Sequence, residues 1–473
     1  MKKRVSLFAG LMIFLVLILL PPPEGLTVEG WKTAAVAILM AVWWITEAVP
    51  IPVTALLPIV LFPILKVLPV EEATALYANP IIFLFMGGFI LAIGMQQCNL
   101  HKRIALNILH LLGAKPNSIV IGFIVASAVI SMWVSNTATA LMMLPIGVSV
   151  MELLDDSDLH SGNFKKVLLL SIAYSCSIGG MGTLIGSPPN ALLAGFAKTN
   201  FGYEISFFDW MKVGIPIMIV SLPLMYILLT KIIYPIRLKE LPGGRNLIKD
   251  QLSQLGKFSK EEKKVTIVFC ATALLWIISP VLKDWIPWIS DAGIAMTGAS
   301  VLFVLPTRLK ERKYILEWQD TKMLPWGILI LFGGGLSLAN GIGKTGLAKW
   351  IGGSIVSLSS LSLVLIIAVA LIIILTVTEL MSNTAAIATF LPIVTSVAIG
   401  LGQNPLMLAL PITFAASCAF VLPVSTPPNA IVYGTGKISI SEMAKAGIWL
   451  DILFLFIILL AAFTIIPFAF GIK

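Results

Sequence analysis

Ser131-Met132-Trp133-Val134-Ser135-Asn136-Thr137-Ala138-Thr139 sits in the middle of an apolar run spanning 118–153. Its core, Ser135-Asn136-Thr137-Ala138 followed by Leu144-Pro145, returns 247 residues later as Ser382-Asn383-Thr384-Ala385 followed by Leu391-Pro392, inside the run 361–400. The same offset pairs Phe85, Gly87, Gly88 and Ala92 with Phe332, Gly334, Gly335 and Ala339. An offset of 239 pairs Ser187-Pro188-Pro189-Asn190-Ala191 with Thr426-Pro427-Pro428-Asn429-Ala430, and Gly195 with Gly434. Matches in one order at near-constant spacing mark a duplicated chain. A lone Ser-Asn-Thr in an apolar helix usually caps or bonds to a neighbouring helix, but two copies at a fixed offset point to a shared purpose.

The setting of these steps is a membrane. Of 473 residues 58% are hydrophobic and 12% charged, with a mean hydropathy of +0.99, whereas a soluble domain has about 25% charged residues. Apolar runs fall at about 5–22, 31–48, 51–66, 80–98, 118–153, 165–198, 211–236, 264–282, 289–306, 325–341, 361–400, 405–434 and 446–470. The N-terminal run reads as a retained first span, because no small-residue cleavage site precedes Pro21-Pro22-Pro23. The 118–153 and 361–400 runs, each broken at a polar tip, read as re-entrant hairpins, which leaves eleven crossings. With a cytoplasmic N-terminus this count places 24 of the 32 Lys and Arg inside, as the positive-inside rule requires.

The predicted fold is therefore all-α and polytopic, with 11 transmembrane helices plus two re-entrant hairpins and an external C-terminus. Residues 1–30 form the first span and external loop. A first repeat covers 31–236, with hairpin 118–153 and broken helix 165–198. A basic cytoplasmic linker follows at 237–263, and the second repeat covers 264–473, with hairpin 361–400 and broken helix 405–434. Five crossings per half invert the second half relative to the first, the arrangement of many secondary transporters.

The net charge of +9 resides in short loops between apolar runs, so it reports topology rather than nucleic-acid binding. Cys98, Cys176, Cys270 and Cys418 stand singly, which argues against disulfides and zinc. His101, His110 and His160 lie in or beside polar segments, and neither Ser135 nor Ser382 has a His or Lys companion, so no enzyme is expected.

The tips and the Pro-Pro-Asn steps are non-helical breaks at membrane depth. Such breaks persist where protein, water or ligand satisfies the backbone. Freed carbonyls suit Na⁺, and restarting helix N-termini suit carboxylates. No Lys or Arg occurs in 116–164, 167–197 or 350–436, the stretches that hold all four steps. Helix ends supply about half a charge each, so a dianion bound there needs cations, and Na⁺ coupling is the expectation. Glu47 reads mainly as a span-end cap. Glu379 reads equally as tuning a cation site or bracing its hairpin. The Gly87-Gly88 and Gly333-Gly334-Gly335 runs read as close helix packing, and 101–112 and 344–353 as interfacial helices.

These motifs, with Ile45-Thr46-Glu47-Ala48-Val49-Pro50, Phe83-Leu84-Phe85-Met86-Gly87-Gly88, Ile178-Gly179-Gly180 and Thr378-Glu379, resemble the divalent anion/Na⁺ symporter (DASS) family over nearly the whole chain, in particular its bacterial Na⁺-coupled dicarboxylate transporters of the INDY type. The resemblance implies a homodimer in the inner membrane, with a scaffold domain and an elevator-type transport domain. It implies Na⁺ symport of C4-dicarboxylates such as succinate, malate and fumarate. Its first Na⁺ site would use Ser131, Ser135, Asn136 and Gly186, and its second Thr378, Met381, Asn383 and Ser425. Substrate would touch Ser135, Asn136, Thr137, Ser187 and Pro188 from one half and Ser382, Asn383, Thr384, Thr426 and Pro427 from the other. The alternative within the family is a Na⁺-independent dicarboxylate exchanger, or a citrate or tricarboxylate carrier.

Overall fold

The computed structural model describes residues 2–113, 115–154, 161–238, 240–241, 243–308, 313–354 and 361–472. His160, Lys239 and Asp156 lie outside them. Helices dominate. Among the described residues, seven are long and apolar enough to cross a membrane by length and composition: Val28–Thr46, Val70–Gln97, Phe207–Ile233, Lys260–Leu282, Trp326–Lys344, Asn383–Gly400 and Ile440–Phe463. Several of the shorter apolar helices, such as Pro116–Ser131 and Asn136–Met151, are the two parts of one run divided at a polar or proline step.

Local chemistry sets the helix starts. Ser206, Ser259 and Ser439 each begin a long helix with a reciprocal capping box to Asp209, Glu262 and Glu442. Asn79 caps a helix that opens on Pro80, whose missing N–H costs nothing there.

The breaks fall where expected. Helices Pro116–Ser131 and Asn136–Met151 flank the first tip, and a Cβ on Gly147 would lie 3.5 Å from the Phe123 ring, so the two arms double back on each other. Leu363–Thr378 and Asn383–Gly400 flank the second. Ser161–Gly180 gives way before Pro188–Phe201, and Leu406–Ala416 before Pro427–Tyr433.

Two expectations need correction. The 51–66 run is two short helices, Ile51–Thr54 and Leu57–Ile64, since Pro52 and Pro58 each favour a first turn over an interior. The segment 237–263 contains the helix Gly244–Gln254, with Ile248 buried, packed on the amphipathic Leu100–Leu112. The fold is not purely α, because Pro306–Arg308 pairs antiparallel with Lys313–Tyr314.

Close approach between helices relies on glycine where expected. A Cβ on Gly87 would lie 2.7 Å from Ala295, and one on Gly334 would lie 2.7 Å from the Cα of Ala55. Polar contacts sort into two sets. One holds Arg103 with Glu262 at 2.6 Å, Lys166 with Glu442 at 2.6 Å and Gln97 with Asp320 at 2.9 Å. The other holds Glu204 between Lys198 and Lys283, both at 3.2 Å, Lys344 with Glu72 at 2.5 Å, and Asn404 with Tyr203 at 3.0 Å.

Candidate functional site

Each tip is a helix restart held by one hydroxyl. Ser131 Oγ lies 2.6 Å from Asn136 Oδ1 and 2.8 Å from the Cys176 carbonyl oxygen. Thr378 Oγ1 repeats the arrangement, 2.7 Å from Asn383 Oδ1 and 2.8 Å from the Ala416 carbonyl oxygen. A single hydroxyl hydrogen serves both acceptors by turn, so the asparagine oxygen is left partly free. Both hydroxyl residues are fully buried.

The Pro-Pro-Asn steps face the tips. Asn190 Nδ2 donates to the Gly180 and Thr183 carbonyls at 2.9 and 2.8 Å, while Asn429 Nδ2 donates to those of Ala419 and Leu422 at 3.0 and 3.1 Å. Positions 419 and 422 lie 239 beyond 180 and 183, so the duplication reaches individual hydrogen bonds. These clamps tie down the non-helical backbone, which would otherwise lose its partners. Reasoning from the sequence missed this role for Asn190 and Asn429, although their recurrence in the paired motif was the signal.

The two halves differ in the side chains at this point. A Cβ on Gly180 would lie 2.7 Å from Asn136 Oδ1 and 3.0 Å from the Gly186 carbonyl oxygen, so an amide oxygen and a carbonyl converge there. At the equivalent place in the second half stand Ala419 and Ser425, the latter's Oγ donating to the Leu422 carbonyl at 2.6 Å. Glu379, left open by sequence, accepts from the backbone N–H groups of Val421 and Leu422, both at 2.9 Å, and so braces the second tip against its broken helix.

One cavity of about 840 Å³ joins all four steps. Every residue named above for substrate contact lines it: Ser135, Asn136, Thr137, Ser187, Pro188, Ser382, Asn383, Thr384, Thr426 and Pro427. Of the residues named for Na⁺, Gly186, Met381 and Ser425 also line it, while Ser131 and Thr378 stand behind the asparagines. Ser135 Oγ accepts from Ala138 N–H at 3.3 Å, so this side chain caps its helix as well. The opposite wall, unread from sequence, comes from Ile45, Thr46, Glu47, Pro52, Phe89 and Pro325. No Lys, Arg or His lines the cavity among the described residues.

The site is apolar-walled with convergent hydroxyls, amides, carbonyls and helix N-termini. It can hold cations at oxygen and anions at N–H groups, and among the described residues that line it no His, Lys or Cys stands beside a serine as a nucleophile–base pair would require.

Known proteins agree with this architecture. Sodium-dependent dicarboxylate transporter SdcS from Staphylococcus aureus strain USA300 is 45% identical over 482 residues, covering 99% of this chain and 92% of that protein, and SdcS of strain MRSA252 matches equally. Two solved structures share the fold at 12% identity. Neisseria gonorrhoeae MtrF, described as illuminating a class of antimetabolite efflux pumps, aligns with a TM-score of 0.61 over 100% of this chain and 95% of that one. The Alcanivorax borkumensis YdaH transporter aligns with a TM-score of 0.53 over 84% and 88%. The family described as the sodium:sulfate symporter transmembrane region matches residues 1–468, and the chain, built from the duplicated tips and broken helices just described, belongs to that family of membrane transporters.

Proposed function

We propose that the protein imports C4-dicarboxylates such as succinate, malate and fumarate by Na⁺ symport, with one Na⁺ at each tip and the substrate between them. The observation that carries this reading is the meeting of both tips and both Pro-Pro-Asn steps on one cavity whose lining has no basic side chain among the described residues. A dianion there draws its charge balance from cations and helix ends. The first Na⁺ is assigned to Ser131, Ser135, Asn136 and Gly186, where the amide and carbonyl oxygens converge, and the second to Thr378, Met381, Asn383 and Ser425. The substrate lies against Ser135, Asn136, Thr137, Ser187 and Pro188 on one side and Ser382, Asn383, Thr384, Thr426 and Pro427 on the other. The identity to transporters named for sodium and dicarboxylate supports the reading of Na⁺-dependent dicarboxylate transport.

Eleven crossings, two re-entrant hairpins, inverted five-helix repeats at 31–236 and 264–473, an elevator motion and a homodimer complete the reading. Its inner-membrane topology places the N-terminus in the cytoplasm. Support comes from the polar contacts, which join only segments assigned to one face: Arg103 with Glu262 and Lys166 with Glu442 inside, Glu204 with Lys198 and Lys283 outside.

Labelled succinate uptake into proteoliposomes, with and without an inward Na⁺ gradient, tests the function. Accumulation only with the gradient is expected. Exchange at full rate without Na⁺ would instead favour the exchanger, for which no basic side chain at the cavity speaks.

A further inference from the structure

The helix Lys260–Leu282 stands at the edge of the molecule. One side is tied to the body: Val265, Thr272, Trp276 and Ser279 are buried, the Trp276 indole donates to the Asp291 carbonyl at 3.0 Å, and its ring stacks on Phe207 with centroids 4.5 Å apart. The other side is bare. Lys260, Lys263, Ile267, Cys270, Leu274 and Val281 are all exposed, and their spacing of three, four or seven keeps them on one slowly winding face. The apolar part of that face suits hydrocarbon, and the lysines mark where the helix leaves it.

That basic end is firmly held. Arg103, from the helix Leu100–Leu112, donates to the carbonyls of Leu255, Gly256 and Lys257 at 3.0, 3.1 and 3.4 Å and to the Glu262 carboxylate at 2.6 and 3.2 Å. These bonds fix the turn before the helix and neutralise Glu262. The fixed turn presents Lys257 and Phe258 next to Lys260 and Lys263. Phe258 is 51% exposed, and the three lysines are exposed with no acidic partner among the described residues. Glu261 is half-buried and lies about 100° around the helix from Lys260, off this face. Lys260 and Lys263 also stand in the first turn of the helix, where the dipole opposes a cation and a bound anion would relieve it.

We propose that this corner binds an anionic phospholipid: Lys257, Lys260 and Lys263 take the headgroup phosphate, Phe258 sits at the boundary with the acyl region, and one acyl chain lies along Ile267, Cys270 and Leu274. Basic clusters directly beside a membrane helix attract anionic lipid, and an exposed aromatic ring adds apolar contact at the same depth. A second copy of this chain fits the face worse. In a two-fold membrane dimer whose axis lies along the membrane normal, each end of the helix meets the same end of its partner, so Lys260 and Lys263 would face their own copies and repel. The site is independent of the transported substrate.

The test follows the melting temperature of the purified full chain in detergent as dioleoylphosphatidylglycerol is added, because a ligand of the native state raises it. Phosphatidylglycerol should raise it, whereas zwitterionic dioleoylphosphatidylcholine and chain-free glycerol phosphate should not at the same concentrations. The triple variant Lys257→Gln, Lys260→Gln, Lys263→Gln should need at least about tenfold more phosphatidylglycerol for half of the rise, and arginine at the same three positions should restore the wild-type response. Each single glutamine variant should shift the response in the same direction, which keeps the site testable even where the triple variant does not fold. Arg245→Gln with Lys249→Gln, which removes two exposed charges from the neighbouring helix, should leave the response unchanged. An equal rise with phosphatidylcholine or glycerol phosphate, an unchanged response in the lysine variants, or an equal loss in the Arg245 and Lys249 pair overturns the proposal. A change in the oligomeric mass of the triple variant by light scattering assigns the face to a second copy and overturns it as well.

Discussion

Phe85 and Phe332 occupy equivalent positions in the two repeats, and their rings meet edge to face with centroids 5.2 Å apart at 88°. Glycine contacts also join the halves: Gly87 of the first half packs on Ala295 of the second, and Gly334 of the second packs on Ala55 of the first. The two halves are thus closely packed on each other at these positions. The duplication is not perfect at the tips. Met132, equivalent to Glu379, offers its backbone carbonyl to the Thr183 hydroxyl, whereas Glu379 offers its carboxylate to the N–H groups of Val421 and Leu422.

Removing the tip amides should affect cation and substrate together. Asn136→Ala and Asn383→Ala are each expected to raise the Na⁺ concentration for half-maximal uptake and the succinate KM by about tenfold or more, because a hydrogen bond to a charged group contributes roughly 1.5–3 kcal/mol. Uptake measured across a Na⁺ series checks this. A change confined to one ligand would separate the two sites.

The brace at Glu379 should show as stability. Glu379→Gln keeps the shape but replaces a charge-assisted acceptor pair, and a loss of about 1–3 kcal/mol is expected. Thermal unfolding in detergent measures it, and Met132→Leu, which leaves the backbone carbonyl in place, should change stability far less. Equal loss in the two variants would contradict the assignment.

Packing between the two halves leaves no room for a methyl group at Gly87 or Gly334. Gly87→Ala and Gly334→Ala should each destabilise the protein by about 1–3 kcal/mol through overpacking. Melting temperatures of the purified variants provide the comparison, and an alanine tolerated at both positions would show that the halves separate more easily than the contacts imply.

Glu204, in the loop between two long helices, is partly buried, which raises its pKa. Hydrogen bonds and charge from Lys283, then Lys198, outweigh that effect and hold it below the ordinary carboxylate value. A depressed carboxylate stabilises the fold above its unfolded pKa, and the contribution disappears as pH falls through its folded value. Glu204→Gln should therefore cost below about 1 kcal/mol near neutrality, as exposed pairs do, and wild type and variant should converge only once pH has fallen below the depressed folded value. A series of melting curves from neutral pH down through the carboxylate range tests the convergence.

Topology is open to labelling. Single cysteines at Asp156 and Gln403, in a background lacking Cys98, Cys176, Cys270 and Cys418, should react with an impermeant thiol reagent from opposite faces, Asp156 from inside and Gln403 from outside. Reaction of both from one face would refute the inverted arrangement.

The sequence by itself determined the duplication, the tips and the Pro-Pro-Asn breaks, because each is a local pattern: hydropathy sets where the chain is buried, and Ser, Asn, Thr and Pro set where its helix must stop. It also located the residues that line one side of the cavity, since the repeated steps combine polar side chains with breaks in the helix. Tertiary structure decided the rest. That Glu47 faces the cavity, with Thr46, Pro52 and Phe89, depends on how the helix Val28–Thr46 and its successors pack against the tips, which no local pattern encodes. Glu379 could tune a cation or brace a loop until Val421 and Leu422 were brought to it from forty residues away. The linker helix Gly244–Gln254 escaped notice because its few apolar residues are too sparse to mark a face until Leu100–Leu112 supplies the surface that buries them.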